Sequence, residues 1–358
     1  MKLSIENVKE LVKLAWDTQS DPEVESIIPN LLGCRGIGKT AMMGQAVDEL
    51  IPNNAFITFV GSGSASEDLG ICVPNKDTGL LDLYHTGRLT GHVDEAKDAS
   101  CIVIFLDEID KYSVDVQAVL LTVLQDRHFN GVPVDPRVVY ITASNPEGLG
   151  GNTLIEPLAD RLCNIECVPD ANAWCDWAAS RGIHESIVGF IQWQCSEQGN
   201  TRVFSSYSED IEGPQPSARS WAKISPALHS NAPIEIKREI VRGYVGRTVA
   251  SEFSEFEKIY LSNPPPRIDD IIENPDTARV PTHPGTVFAV ASLIIQYVAS
   301  KGSNATSKDA IKTFVVDSLI TYLERFENEA HRVWAIKSCA NANKLFRENK
   351  SDVFSKYE

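Results

Sequence analysis

Residues 33–40 combine glycines with a lysine and a threonine in the spacing G-x-x-x-x-G-K-[ST]. The glycines let the backbone curl with its N–H groups pointing inward, and the positive end of a following helix dipole would add to the same concavity. Lys39 would supply a charge for the β- and γ-phosphates of a nucleotide, and the Thr40 hydroxyl is placed to coordinate Mg²⁺. This is the pattern of a P-loop, whose residues are Gly33, Cys34, Arg35, Gly36, Ile37, Gly38, Lys39 and Thr40.

A second stretch suited to this chemistry is the apolar run 101–106, which is followed by Asp107 and Glu108. In a parallel sheet such a run indicates a strand buried on both faces, and ligands bind at its carboxyl end. This is the Walker B pattern, in which Asp107 would hold the Mg²⁺ and Glu108 would act as general base on the attacking water. The alternative is that the two carboxylates only cap a helix that begins near Ser113.

The elements that must position these residues alternate between strands and helices along the first half of the chain. Apolar and β-branched runs predict strands at 26–32, 55–60, 101–106, 138–144 and 163–168, and helical spacing predicts helices at 4–17, 40–50 and 114–124. Pro29 cannot donate to a central ladder and is expected where its strand begins. Beyond Pro169 the spacing becomes helical throughout.

We therefore expect an α/β fold with a parallel sheet, followed by an all-helical lid and a helical C-terminal region. The expected boundaries are 1–168 for the nucleotide-binding core, 169–262 for the lid and 263–358 for the C-terminal region. Residues 67–97 favour neither helix nor strand, and the interpretation as a functional loop stands beside that of a plain surface connection.

Composition excludes some classes of protein and disfavours others. No apolar run approaches the ~20 residues that span a bilayer, and the N-terminus lacks the pattern of a secretory signal, so a cytoplasmic location is expected. The formal net charge of −16 argues against nucleic acid as the bulk ligand. The eight cysteines are expected to be reduced. Cys163, Cys167 and nearby Cys175 allow a zinc site, but buried core thiols are the favoured interpretation for Cys163 and Cys167.

In order and spacing these segments resemble an AAA+ ATPase, and within that superfamily the MoxR-like branch. The resemblance rests on the P-loop, residues 106–111, an Asn-Gly hairpin signal within 127–134, residues 142–146 and Asp160-Arg161. It extends over residues 27–225 and implies an αβα core with a helical lid. It also implies ATP and Mg²⁺ as ligands and a homo-oligomer in the form of a hexameric ring.

The same resemblance implies roles for three further residues. Asn145 matches sensor 1, Arg161 matches the arginine finger that one subunit donates to the γ-phosphate of its neighbour, and Arg219 matches the sensor 2 arginine. It also places a hairpin at 127–137 before the sensor strand and an insertion at 61–97. The sequence departs from the family at Cys34-Arg35, where small residues or proline are common, and at Lys111, where arginine is common.

The leading interpretation is a Mg²⁺-dependent ATPase of the MoxR type that remodels a protein client. In the family that it resembles, a protein with a von Willebrand A-type domain is a common partner. A nucleic-acid-dependent motor is the alternative, because related AAA+ proteins grip DNA with similar hairpins. A third interpretation is a nucleotide-gated scaffold that scarcely turns over, against which Glu108 argues.

Overall fold

The structure is a computed structural model that describes residues 1–21, 23–61, 71–129, 131–147, 153–205, 213–304 and 306–349. The chain forms two compact units, Met1–Asp170 and Ala171–Glu358. The first unit contains the strands, and the second is helical. The division of the second unit into a lid and a separate C-terminal region stays a prediction.

The strands in chain order are β1 Lys2–Leu3, β2 Pro29–Leu32, β3 Asn54–Val60, β4 Ile71–Pro74, β5 Leu81–Tyr84, β6 Cys101–Asp107, β7 His128–Phe129, β8 Val132–Pro133, β9 Val138–Ser144, β10 Cys163–Glu166 and β11 Val168–Pro169. The helices of the first unit are α1 Ile5–Ser20, α2 Lys39–Leu50, α3 Val114–Asp126 and α4 Glu156–Ala159. Those of the second unit are α5 Ala171–Ser180, α6 Glu185–Ser196, α7 Ala218–His229, α8 Ile234–Ser262, α9 Ile268–Glu273, α10 Pro284–Ala299, α11 Thr313–Glu324, α12 Glu329–Ala342 and α13 Lys344–Asn349.

A five-stranded parallel sheet in the order β10-β2-β9-β6-β3 forms the centre of the first unit. Successive residues of β6 point to opposite faces of this sheet, as the pleat requires. Cys101, Val103 and Phe105 pack with α1 and α2, whereas Ile102, Ile104 and Leu106 pack with α3. The unit is therefore a three-layer αβα structure, and the predicted fold class is confirmed.

Local sequence accounts for how several of these elements begin. Pro29 is the first residue of β2, as predicted, so its missing N–H falls at the start of the strand. Ser4 caps α1 by accepting a hydrogen bond from the Asn7 N–H. The Asn-Gly hairpin is confirmed as the antiparallel pair β7 and β8, although Asn130 itself lies outside the described residues.

Three features differ from the sequence interpretation or add to it. The antiparallel hairpin β4–β5 occupies residues 71–84, in a stretch for which no strand was predicted, and residues 62–70 of the predicted insertion lie outside the described residues. A two-stranded parallel ribbon joins β1 to β11. The expectation of a buried thiol is wrong for Cys163, which is exposed on the edge strand β10.

The second unit is organised around one apolar cluster with members from Trp174 to Phe346. Phe190, Trp221 and Phe253 lie at its centre, with ring centroids 5.3–5.7 Å apart. Within the described helices, none is long and apolar enough to cross a membrane.

The helix α8 is interrupted at Gly246, whose φ of 79° and ψ of 169° are not helical. A Cβ at this position would lie 2.5 Å from the Pro214 carbonyl oxygen. Glycine therefore permits both the backbone conformation and the close approach. Within the stretch whose spacing predicted helix throughout, the chain thus forms two helical segments joined at this break.

Candidate active site

The candidate site lies at the carboxyl ends of three neighbouring strands, β2, β9 and β6. The P-loop follows β2, Asn145 follows β9, and Asp107 ends β6. In a parallel sheet these ends share one edge, where ligands of α/β proteins bind. The topology thus brings together residues that are more than a hundred positions apart in the sequence.

The P-loop turns through two glycines in the left-handed region, Gly36 with φ of 79° and Gly38 with φ of 100°. Gly38 precedes α2 and has no side chain to cap the first N–H groups of that helix, which leaves them available to an anion. The Gly33 N–H donates to the Ser144 carbonyl oxygen at 3.2 Å, so the loop is tied to the end of β9. Of the remaining loop residues, Ile37 is buried, Cys34 is half-buried and Arg35 is exposed.

Lys39 is the most buried charge in the loop, with 8% of its surface exposed. Its ammonium donates to the carbonyl oxygens of Gly33 and Cys34, and to Asn145 Oδ1 at 3.2 Å. Burial lowers the pKa of Lys39, and the nearby Asp107 carboxylate opposes that shift. An anionic phosphate would stabilise this desolvated charge directly.

Thr40 and Asp107 are in contact, because the Thr40 hydroxyl donates to Asp107 Oδ2. A hydroxyl and one carboxylate beside a phosphate cradle fit Mg²⁺, which is usually bound through one or two carboxylates and the phosphates of its substrate. The predicted shared cation position is therefore compatible with the geometry. Both side chains are only partly buried, which leaves room for ligands on their outer side.

Glu108 has a strained backbone, with φ of 53° and ψ of 46°. Its N–H donates to Asp107 Oδ1 at 2.9 Å, and its carbonyl oxygen would lie 2.2 Å from a Cβ at Gly61. Non-glycine residues in this region are uncommon and concentrate at functional sites. The capping alternative is wrong, because the Ser113 side chain caps α3 by accepting from the Val116 N–H.

Asn145 is buried at the end of β9 and contacts two other parts of the site. Its side chain accepts from Lys39, and its backbone N–H donates to Asp110 Oδ1 at 3.1 Å. Asp110, which is almost completely buried, was not among the site residues predicted from the sequence. The sequence signal that could have identified it is a carboxylate two residues after Glu108, separated from it by the apolar Ile109.

Arg161 has different surroundings from the P-loop residues. Its side chain is 35% exposed and donates to Gln125 Oε1 at 2.7 Å and to the Pro157 carbonyl oxygen at 2.8 Å. Asp160 lies 3.8 Å away. These partners belong to α3 and α4, and not to the P-loop or the end of β6. Arg219 is exposed near the start of α7, in the second unit.

The hairpin that precedes the sensor strand uses its arginines internally. Arg127 donates to the Val138 carbonyl oxygen at 2.9 Å and lies over the Tyr140 ring. Arg137 donates to both oxygens of Asp135 and to the Ala99 carbonyl oxygen. Neither guanidinium is free to follow a phosphate backbone.

The zinc alternative finds no support in the part of the chain that the structure describes. There, no three His, Cys, Asp or Glu side chains are grouped so that they could hold a metal ion. Cys167 is buried and donates weakly to the Ile165 carbonyl oxygen.

The αβα unit contains a P-loop and an acidic strand end, and a family model matches this part of the chain. The model of the ATPase family associated with various cellular activities (AAA) matches residues 30–169, which include the P-loop, Asp107, Asn145 and Arg161. This match supports an AAA+ ATPase domain in the first unit and, with it, nucleotide binding. No curated protein sequence matches the chain.

Solved structures with some overall similarity include NtrX from Brucella abortus and the RuvB Holliday junction branch migration motor of Thermotoga maritima. The NtrX match has 15% identity and a TM-score of 0.34, and it covers 83% of this chain and 61% of NtrX. The RuvB match has 14% identity and a TM-score of 0.33, and it covers 97% of this chain and 83% of RuvB. TM-scores this low add nothing to the assignment.

Proposed function

We propose that the protein binds ATP and hydrolyses it in a Mg²⁺-dependent reaction that remodels a protein client, in the manner of MoxR-like AAA+ ATPases. The contact between Thr40 and Asp107 carries this proposal. It joins the P-loop to the Walker B strand at the position where a single cation would bridge the two. The buried ammonium of Lys39 beside them would contribute affinity for phosphate.

The chain's own residues would share the work of the reaction. The P-loop N–H groups and Lys39 would hold the phosphates, and Thr40 and Asp107 would hold Mg²⁺. That cation would neutralise charge that develops on the phosphate oxygens. Glu108 would accept a proton from the attacking water at its carboxylate, and the Asn145 amide would orient groups near the γ-phosphate.

Completion of the site by a neighbouring subunit is part of the proposal. Arg161 would be donated to the γ-phosphate bound by the next protomer of a hexameric ring, and Arg219 would act from the helical unit as sensor 2. The exposure of both arginines supports such roles. A von Willebrand A-type domain protein is our candidate for the client.

The nucleic-acid motor receives less support. The hairpin was its main argument, and Arg127 and Arg137 are bonded within the unit. The net charge of −16 opposes a polyanion as well.

Two substitutions test the proposal. Lys39→Ala removes a buried charge that contacts the phosphate site, and we expect ATP affinity to fall by about 100-fold. Glu108→Gln keeps the shape of the side chain and removes the base, so turnover should fall by about 10²–10⁴-fold with ATP affinity nearly unchanged. Isothermal titration with ATP and Mg²⁺, together with phosphate release, measures both effects.

Lys13→Ala, at an exposed position on α1, is the matched control and should leave both quantities unchanged. Retained affinity in Lys39→Ala would contradict the P-loop assignment. Near-normal turnover in Glu108→Gln would exclude Glu108 as the base.

A further inference from the structure

A carboxylate without an assigned role is buried between the ends of β6 and β9. Asp110 belongs to the short 3-10 turn Ile109–Lys111 and is 1% exposed. Its Oδ1 accepts the Asn145 N–H at 3.1 Å, while its Oδ2 is buried and has no hydrogen-bond partner among the described residues. The Lys111 ammonium lies 3.6 Å from Oδ2.

Such a group is costly to bury. A carboxylate out of water needs several donors or a close ion pair to offset its desolvation, and here Oδ1 accepts one N–H while Oδ2 has the Lys111 ammonium at 3.6 Å but no hydrogen bond from the described residues. A neutral side chain could accept the single Asn145 N–H at lower cost. The charge therefore points to a requirement other than stability.

The position of Asp110 shows what the carboxylate controls. It fixes the backbone of Asn145, and the Asn145 side chain accepts from Lys39 at 3.2 Å. A continuous path of hydrogen bonds thus runs from the turn after Glu108, across the end of β9, to the P-loop lysine. Asp110 also adds negative potential near Lys39, which opposes the lowering of the Lys39 pKa by burial.

We propose that Asp110 is a positioning residue for ATP hydrolysis. It holds the backbone N–H of Asn145, so that the side-chain Oδ1 of Asn145 stays in contact with the Lys39 ammonium. The inference rests on the proposed function and assigns a role to a residue outside the P-loop, the Asp107-Glu108 pair and the arginines. Loss of Asp110 leaves the phosphate cradle intact and frees Asn145 to leave its place. We therefore expect a change in kcat rather than in KM.

A double-mutant cycle tests this role. Asp110→Ala should lower kcat by about 10-fold, the effect of about 1.4 kcal/mol, with KM changed by less than threefold. In an Asn145→Ala background, Asp110→Ala should lower kcat no further, because the side chain that it positions is gone. A purely structural role would lower thermal stability by the same amount in both backgrounds and would leave no coupling in kcat.

A second measurement does not depend on turnover. Hydrogen exchange resolved at the Asn145 amide should accelerate in Asp110→Ala and stay protected in Asp110→Asn, which keeps an acceptor oxygen in the same place. Asp110→Asn also serves if Asp110→Ala does not fold. It should retain more of the wild-type kcat than Asp110→Ala. Asp115→Ala, an exposed carboxylate in the first turn of α3, is the matched control and should behave as wild type.

The possible outcomes separate the two proposals. Equal loss of kcat from Asp110→Ala with and without Asn145, or unchanged exchange at the Asn145 amide, would overturn the inference while leaving the ATPase proposal intact. A wild-type protein without turnover would contradict the proposed function itself, and with it any role of Asp110 in hydrolysis.

Discussion

The two units bury polar side chains for different purposes. In the first unit, several buried polar side chains make contacts at or near the carboxyl ends of strands: Asn30 donates to Ser144 Oγ, Lys39 donates to Asn145, and Asp110 accepts from Asn145. These contacts connect neighbouring strands at the edge where ligands bind. They cost stability when they are incomplete, and Asp110 Oδ2, which has an ion pair with Lys111 but no hydrogen bond from the described residues, is such a case.

In the second unit, partly buried polar groups complete the packing of helices. Asp176 accepts from the Trp334 indole and from the Ser338 hydroxyl, both at 2.7 Å, and so joins α5 to α12. His184 caps α6 by accepting from the Ser186 N–H at 3.2 Å. We therefore expect substitutions at the strand ends to change chemistry, and substitutions of these partly buried polar groups in the helical unit to change stability alone.

The largest expected effect comes from Arg161. This residue lies in the first unit, but its hydrogen bonds are exposed, so it tests whether a side chain of that unit can affect chemistry without being buried at a strand end. Arg161→Ala should reduce turnover by about 10³-fold or more if the guanidinium reaches a neighbouring γ-phosphate. The thermal midpoint should stay unchanged, since exposed hydrogen bonds contribute little to stability. Phosphate release and thermal unfolding measure the two quantities, with Arg181→Ala, an exposed arginine, as the control.

Mixed assemblies decide whether this effect acts between subunits. Arg161→Ala subunits retain an intact P-loop, and Lys39→Ala subunits retain an intact arginine. Mixing the two should restore part of the activity, at those interfaces where the P-loop comes from an Arg161→Ala subunit and the arginine comes from a Lys39→Ala subunit. Stable mixed rings without any recovery would remove the role in trans.

Gly61 gives an intermediate effect. A Cβ at this position would lie 2.2 Å from the Glu108 carbonyl oxygen, so Gly61→Ala must displace the strained residue that carries the proposed base. We expect turnover to fall by about 10-fold or more, with ATP affinity affected less, because the P-loop is not touched. The measurements are phosphate release and ATP titration.

Gly44→Ala is the matched control for Gly61→Ala. A Cβ at Gly44 would make ordinary contact with the Phe56 ring at 3.5 Å, and alanine favours a helix interior. This variant should be as active as wild type and slightly more stable. Equal activity of the two variants would show that the position of Glu108 is not critical.

The sequence was sufficient for the parts of the site that lie on one element with a regular pattern. The unbroken apolar run of β6 predicted a strand buried on both faces, and Pro29 predicted where β2 begins. The sequence was insufficient where the exposure of a residue depends on the position of its strand in the sheet. Cys163 follows a strand pattern, but only its place at the sheet edge exposes it.

The same limit explains why the hairpin β4–β5 and Asp110 were missed. The hairpin has a turn in which Asn75 Oδ1 accepts from the N–H groups of Asp77 and Thr78. The flanking residues favour neither helix nor strand, so the local pattern did not predict this turn. The importance of Asp110 depends on Asn145, 35 residues later, whose N–H it receives. Contacts between strand ends follow from strand order, which local periodicity does not determine.

The smallest expected effect concerns pH and the helical unit. Burial lowers the pKa of His184 from its ordinary 6.5, with Glu185 opposing the shift and His229 and Lys237 adding to it. The unfolded chain therefore binds a proton at higher pH than the folded chain does, so the contribution of His184 to stability is fully present above about pH 6.5 and declines as the pH falls below that value.

His184→Asn keeps a capping side chain without the titration, and in this variant the thermal midpoint should fall less steeply as the pH is lowered. The exposed His128, substituted in the same way, is the control. An unchanged pH profile in His184→Asn, or a loss of ATP turnover at neutral pH, would contradict the distinction between strand ends that perform chemistry and partly buried polar groups of the helical unit that only maintain the fold.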